Sequence, residues 1–229
     1  MEHNMKVIAH IRSDFTSKFA IPRQSGILSE LESKIEFEPS FSSPDYIRGI
    51  ENFSHLWLIW CFSENLGKET GSTVRPPRLG GNQRVGVFAT RSPFRPNPIG
   101  ISSVRLVRVE EGKRGKVLVV SGADLMDGTP IYDIKPYLAF SDSHPEAVAG
   151  FADLHREDAL KVNCSEEMLS CLPLQKQSAF ITILSQDPRP SYQNDPDRIY
   201  GFSFAGFEIS FSVKEDVLTV LNIEKIPNR

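Results

Sequence analysis

Along the first 140 or so residues the apolar positions fall in short runs at strand spacing rather than helix spacing. MKVIAHIR, 5–12, mixes apolar and polar side chains in a β-like stretch, and Ile27 to Phe37 reads as one or two further strands. HLWLIWCF, 55–62, is a continuous run of bulky side chains and is predicted as a buried central strand. Strands are also expected around 84–90, over 99–109 with Ile101, Val104, Leu106, Val107 and Val109, and over 116–124. MDGTPIYDIKPY adds an Asp-Gly turn and a short strand. Helix-start chemistry occurs once in this stretch, where Ser43 stands as N-cap, Pro44 follows it and Asp45 lies in the first turn. No helix of crossover length separates the strands. The pattern therefore argues against a doubly wound parallel sheet and predicts a mostly β fold with an antiparallel or mixed barrel.

Near residue 150 the pattern changes. Ser165-Glu166-Glu167 opens a helix with an acidic first turn, and QKQSAFITILSQ, 175–186, continues as a second. DPRPSYQNDPDR, 187–198, holds three prolines and reads as a structured loop. YGFSFAGFEISFSV and DVLTVLNIEKI alternate as a terminal hairpin. The expected organisation is a barrel domain over 1–155 and a small α+β C-terminal domain over 156–229.

Composition narrows the class without naming a chemistry. The chain has 229 residues, enough to bury a core without covalent staples. Its three cysteines, Cys61, Cys164 and Cys171, exclude a disulfide framework and form no C-x-x-C pair. The five histidines show no H-x-x-x-H spacing, so no metal site is expected. No signal-like or membrane-spanning apolar run exists, and the expected location is the cytoplasm.

Charge changes the picture more. The formal net charge is −3, yet residues 70–109 hold seven arginines and no acidic residue. Such a window inside an acidic chain is an anion-binding surface in the making. The cations are all Arg, whose guanidinium forks suit phosphate and carboxylate. They lie among glycines 80, 81, 86 and 100 and prolines 76, 77, 93, 96 and 98. A rigid irregular loop results, presenting Arg78, Arg84, Arg91 and Arg95; the plain alternative is a proline-stiffened barrel connection.

Other common chemistries are missing. There is no G-x-G-x-x-G, no P-loop and no G-x-S-x-G elbow. Asp133, Lys135 and Tyr137 alternate on one strand face and could orient a polar substrate or relay a proton, or form a surface ion pair and nothing more. Asp127 is equally a turn residue or a site residue.

Four passages carry a resemblance: PRQSG at 22–26, SHLWLIW at 54–60, RPPRLGGNQRVGVFATRSPFRPNPIG at 75–100 and DLMDGTPIYDIKPY at 124–137. They resemble the TrmO (TsaA-like) family of S-adenosylmethionine-dependent tRNA (adenine-37 N6) methyltransferases, and QDPRPSY at 186–192 is similar to the C-terminal region of its bacterial members. The resemblance implies a single-sheeted β-barrel and a homodimer with S-adenosylmethionine bound near the subunit interface. It implies N6-methylation of threonylcarbamoyl-adenosine at position 37, in the anticodon loop of tRNA. By motif position the implied cofactor contacts are Arg23, Gln24, Ser25, Ser63, Glu64, Arg91, Ile101 through its backbone, Asp124, Leu125, Met126 and Asp127. Many relatives carry histidine where this chain has Ser63. Arg75, Arg78, Arg84 and Arg95 become candidate RNA contacts, with Arg84 and Arg95 the candidates to clamp the threonylcarbamoyl carboxylate. Asp133 becomes a candidate acceptor for the N6 proton. Two other readings fit the residues: a non-catalytic RNA- or phosphate-binding barrel, and a methyltransferase of this fold with a different substrate.

Overall fold

A computed structural model describes residues 3–227 except 20, 23, 77–78, 80–82, 156–158 and 190–194. The chain is mostly β. β1 (Ala9–Arg12), β2 (Glu32–Phe37), β3 (His55–Cys61), β6 (Ile99–Gly112), β7 (Gly115–Ser121) and β8 (Pro130–Pro136) close in the order β1-β2-β7-β6-β3-β8. Every neighbouring pair is antiparallel. β4 (Thr73–Val74) and β5 (Val85–Gly86) form a separate two-residue ladder.

Period-two alternation places the barrel core. Leu56, Leu58 and Trp60 of β3 point inward against Gly100, Ser102 and Val104 of β6, their register partners. Outward positions of β3, such as Trp57 and Ile59, are half-buried, so this strand has one inner face rather than two buried ones. The expected strand near 84–90 shrinks to Val85–Gly86. A 3-10 turn over Val87–Ala89 and the prolines beyond it leave no run of amide donors for a longer ladder.

Alternating strand directions sort the connections onto two rims. One rim carries 13–31, 62–98 and 122–129. The other carries 38–54, the 113–114 hairpin and the exit at 137. Short 3-10 turns replace the expected helix at 44, where the Ser43 hydroxyl accepts from the Asp45 amide as a cap.

β9 (Lys161–Asn163), β10 (Tyr200–Phe204), β11 (Phe207–Lys214) and β12 (Val217–Lys225) form a second sheet, β10-β11-β12-β9, with β9 parallel to β12. The expected hairpin is thus three antiparallel strands, because Ala205-Gly206 turns the first segment back on itself. α1 is the short turn Ala139–Asp142, α2 spans Glu166–Ser170 with Ser165 capping the Met168 amide, and α3 spans Leu174–Ser185. Ala179, Phe180, Ile183 and Leu184 form the buried stripe of α3. This core also takes Phe15, Leu28 and Leu31 from the 13–31 connection, with Phe15 and Phe180 both against Phe204. Lys176 of α3 pairs with Asp14.

Candidate active site

Connections 13–31, 62–98 and 122–129 meet at one rim around a cavity of about 530 Å³. That lies within the range of roughly 300–1,000 Å³ usual for small-molecule sites. Trp60 and Phe62, edge to face at 4.3 Å, form an aromatic wall, continued by Ile99, Ile101 and Met126. Both signs of charge face it: Glu64 and Asp124 on one hand, Lys18, Lys68, Arg91 and Arg95 on the other.

Local sequence explains how these groups are held. Gly26 donates its amide to the Gly122 carbonyl at 2.8 Å, and Gly122 has φ +79°, where a Cβ would sit 3.2 Å from Gly26 Cα. The first connection is thereby pressed onto the loop bearing Asp124. The Ser25 amide reaches the Asp124 carboxylate, which also accepts from the Ser102 hydroxyl at 2.6 Å. Arg91 donates to the Gln24 side-chain oxygen, tying the basic block to the first connection. Burial pushes the Asp124 carboxyl above the usual carboxylate range; the Ser102 hydroxyl, its own amide, the Arg91 charge and the Ser25 amide pull it back.

A larger cleft of about 1,360 Å³ adjoins this cavity and shares Gln24, Thr90, Arg91 and Phe94 with it. Arg75 and Arg84 stand on its barrel side, with Arg84 donating to the Thr73 hydroxyl at 3.1 Å. Its opposite side comes from the C-terminal region, where Arg189 makes two 2.8 Å bonds to the Asp187 carboxylate.

The residues singled out in the sequence separate into groups. Gln24, Ser63, Glu64, Arg91, Ile101, Asp124 and Met126 line the smaller cavity, and Ser25 touches it through its amide. Arg95 lines the same cavity and donates to the Thr90 carbonyl at 3.2 Å, whereas Arg75 and Arg84 line the larger cleft. Leu125 is fully buried in the barrel core. The Asp127 carboxylate accepts from the Ser13 amide at 3.1 Å and lies 3.8 Å from Arg12. It is a latch between two connections. Arg23 and Arg78 lie outside the described residues.

Asp133, Lys135 and Tyr137 share a strand face as their spacing implies, but on the outside of the barrel and in neither cavity. Asp133 holds Lys135 at 2.8 Å, and its hydrogen bond raises the Lys135 ammonium pKa. Tyr137 packs on Trp57 and His55. Ile131 and Ile134 both pack into the barrel core across a register shift in the strand, which sets Asp133 and Lys135 on the outer face opposite Ile59 and Trp57.

Sequence reading missed the Trp60–Phe62 wall, Ser102 and Lys18. A signal for the first existed. Glycine at 100 inside an apolar strand marks a close approach, and a Cβ there would lie 2.4 Å from the Trp60 ring. Cys61 lines the cavity beside Tyr132, whose phenol is pushed up to about 12 by its hydrogen bond with the thiol and then by burial. Among the described residues no cluster of His, Cys, Asp and Glu could hold a metal, and no helix is long and apolar enough to cross a membrane.

The tRNA-methyltransferase O N-terminal domain matches residues 10–143, and the TrmO C-terminal domain matches 157–226. An Escherichia coli protein named tRNA (adenine(37)-N6)-methyltransferase is 39% identical, covering 95% of this chain and 96% of its own length. A Pseudomonas aeruginosa protein, named as a proposed S-adenosylmethionine-dependent methyltransferase, is 38% identical over 97% of this chain and 98% of its own. A crystal structure of TrmO from P. aeruginosa superposes with a TM-score of 0.78 at 33% identity, covering 98% of both chains. Matched in both of its halves, the chain belongs to the TrmO family of tRNA methyltransferases.

Proposed function

We propose that the protein methylates N6 of adenosine 37 in tRNA with S-adenosylmethionine, and that the adenosine it prefers already carries the threonylcarbamoyl group. The observation that carries this reading is the pair of adjoining cavities, one of cofactor size and one rimmed by arginine, with a shared wall.

The smaller cavity fits the cofactor chemically. An adenosine and a thioether suit the Trp60–Phe62–Met126 wall, while an ammonium and a carboxylate need charges of both signs. Glu64 and Asp124 would hold the cationic end, and Lys68 and Arg91 the anionic end. When bound, S-adenosylmethionine supplies an electrophilic methyl on a sulfonium, so no protein nucleophile is needed. The chain's own part is to orient and to exclude water. The aromatic wall and the connection over Gln24 do the second, and the arginines of the larger cleft do the first. Arg75 and Arg84 grip backbone phosphates of a single-stranded loop, and an arginine fork on the shared wall receives the threonylcarbamoyl carboxylate. Of the two candidates, Arg95 lines the smaller cavity and Arg84 only the larger cleft, so the choice falls on Arg95.

We read the chain as a single-sheeted barrel unit over 1–155 and a C-terminal unit over 156–229 that supplies the far side of the substrate cleft, the boundary itself lying outside the described residues. We read the working species as a homodimer acting in the cytoplasm. Exposed Ile101 and Val107, outward on one strand, suit a subunit contact beside the cofactor cavity. The test uses the purified protein, S-adenosylmethionine and two tRNA preparations, with and without threonylcarbamoyl, followed by nucleoside mass spectrometry. Methyl gain on the threonylcarbamoyl nucleoside supports the reading. Equal gain on unmodified adenosine removes the specificity claim, and no gain on either removes the activity.

A further inference from the structure

Two buried groups and one half-buried carboxylate stand in line at the cofactor rim. The Trp60 indole Nε1 donates to Ser102 Oγ at 3.0 Å, and Ser102 Oγ donates to Asp124 Oδ1 at 2.6 Å. The directions follow from the groups themselves. An indole N–H only donates and a carboxylate only accepts, so the hydroxyl must take the first bond and give its single proton to the second. Ser102 is 1% exposed and Trp60 7%, so water does not compete for either. Gly100 makes the line possible, since any side chain there would displace the Trp60 ring.

We infer that Trp60 and Ser102 are positioning residues for the cofactor, fixing the rotamer of Asp124 with its carboxylate turned toward the cavity. The inference rests on the assignment of that cavity to S-adenosylmethionine. The strand pairing supports it independently: Trp60 and Gly100 are register partners, and Ser102 is the next inward residue on the same strand. Asp124, in the loop after β7, is otherwise held only through backbone amides of Ser25 and of its own loop. A donor fixed by two strands makes its orientation a property of the barrel.

Electrostatics gives the relay a readable consequence. Burial drives Asp124 toward its neutral form, and the Ser102 hydroxyl opposes this. The other opposing groups are the Ser25 and Asp124 amides and the Arg91 charge. Glu64, Lys18, Lys68, Arg95 and the Cys61 thiol also face the cavity, and all of them remain in a Ser102 variant. Removing the hydroxyl therefore moves the protonation of Asp124 to higher pH while the rest of the cavity's titration stays in place.

The experiment is calorimetric binding of S-adenosylhomocysteine to the full chain between about pH 5.5 and 8.5, for wild type, Ser102→Ala, Trp60→Phe, Asp124→Asn and the Ser102→Ala/Asp124→Asn pair. Loss of a hydrogen bond to a charged group corresponds to roughly tenfold weaker binding at neutral pH. Ser102→Ala is expected to show that loss and to move the acid limb of binding upward in pH. Trp60→Phe is expected to move it the same way. In the Asp124→Asn background Ser102→Ala is expected to have little further effect, since the two act as one unit. An unmoved acid limb in Ser102→Ala and Trp60→Phe, with wild-type binding intact, overturns the relay. Additive losses in the double variant overturn it too. Failure of wild type to bind the probe instead removes the cofactor assignment on which the inference stands. Thermal melting of each variant guards against misfolding, and Trp60→Phe keeps the test readable if Ser102→Ala does not fold.

Discussion

The barrel and the C-terminal layer bury their apolar residues differently. Among the described residues the barrel core draws on 8–134, with Leu56, Leu58, Leu118 and Ile131 fully enclosed by its own strands. The C-terminal core is not self-sufficient. It recruits Phe15, Leu28 and Leu31 from the connection between β1 and β2, and clasps the same segment through Lys176 and Asp14. That connection also carries Gln24 and Ser25, which reach Arg91 and Asp124. One wall of the smaller cavity is therefore stiffened by a core outside the barrel. A loop with little burial of its own is among the first parts of a protein to open, and anchoring both its flanks opposes that.

The largest expected effect breaks the anchoring core. Phe180→Ala, at a fully buried site, should cost about 3–5 kcal/mol, and Leu58→Ala inside the barrel about 2–5 kcal/mol. Denaturant unfolding measures both. The comparison requires more of Phe180→Ala: it should also weaken S-adenosylhomocysteine binding at temperatures where the barrel is intact. Unchanged affinity in a destabilised variant would separate the two regions.

Gly100→Ala comes next. The added methyl would lie 2.4 Å from Trp60, and overpacking of this kind costs about 1–3 kcal/mol. Displacing Trp60 also opens the aromatic wall, so a drop in both melting temperature and cofactor affinity is expected from parallel melting and binding curves. An affinity loss alone would mean that the ring moves without strain.

Arg75→Ala and Arg84→Ala should act on tRNA and not on cofactor. Each phosphate contact in a single strand contributes about −0.7 to the slope of log affinity against log salt. Losing one should flatten the slope by about that amount, roughly a threefold change in salt sensitivity between 50 and 200 mM. The loss should be similar for all tRNAs, because phosphates carry no sequence information. An unchanged slope would take that arginine out of the RNA surface.

The smallest effect is expected at Lys135→Ala, which removes an exposed partner of Asp133. Turnover should stay within about twofold of wild type, since surface ion pairs of this kind contribute little. A large drop in turnover would return this face to the mechanism.

Strand runs with bulky or alternating residues were legible in the sequence, as at 55–61 and 99–112, because side-chain period follows backbone geometry directly. The caps at Ser43 and Ser165 were legible for the same local reason. The borrowed core was not. Nothing in SDFTSKFAIPRQSG distinguishes a Phe15 buried against Phe204 from one lying on the barrel, since that pairing joins residues nearly 190 positions apart. The site divided likewise. The resemblance carried the positions lining the cavity, but Leu125 and Asp127 stand beside Asp124 in sequence without sharing its direction. Asp133, Lys135 and Tyr137 share a face as expected, yet alternation does not say which face a cavity occupies. Ser102 drew no attention because a serine inside a strand gains its meaning only from the Trp60 and Asp124 brought to it by folding.

Hydrogen exchange with and without S-adenosylhomocysteine tests most directly whether the cofactor cavity is built at this rim and braced by the second core. Protection is predicted at 61–65, 90–95 and 122–129, spreading through 13–31 to the amides packed around Phe180 and Phe204. Protection confined to 133–137 and the outer barrel face, or none at 122–129, would contradict it.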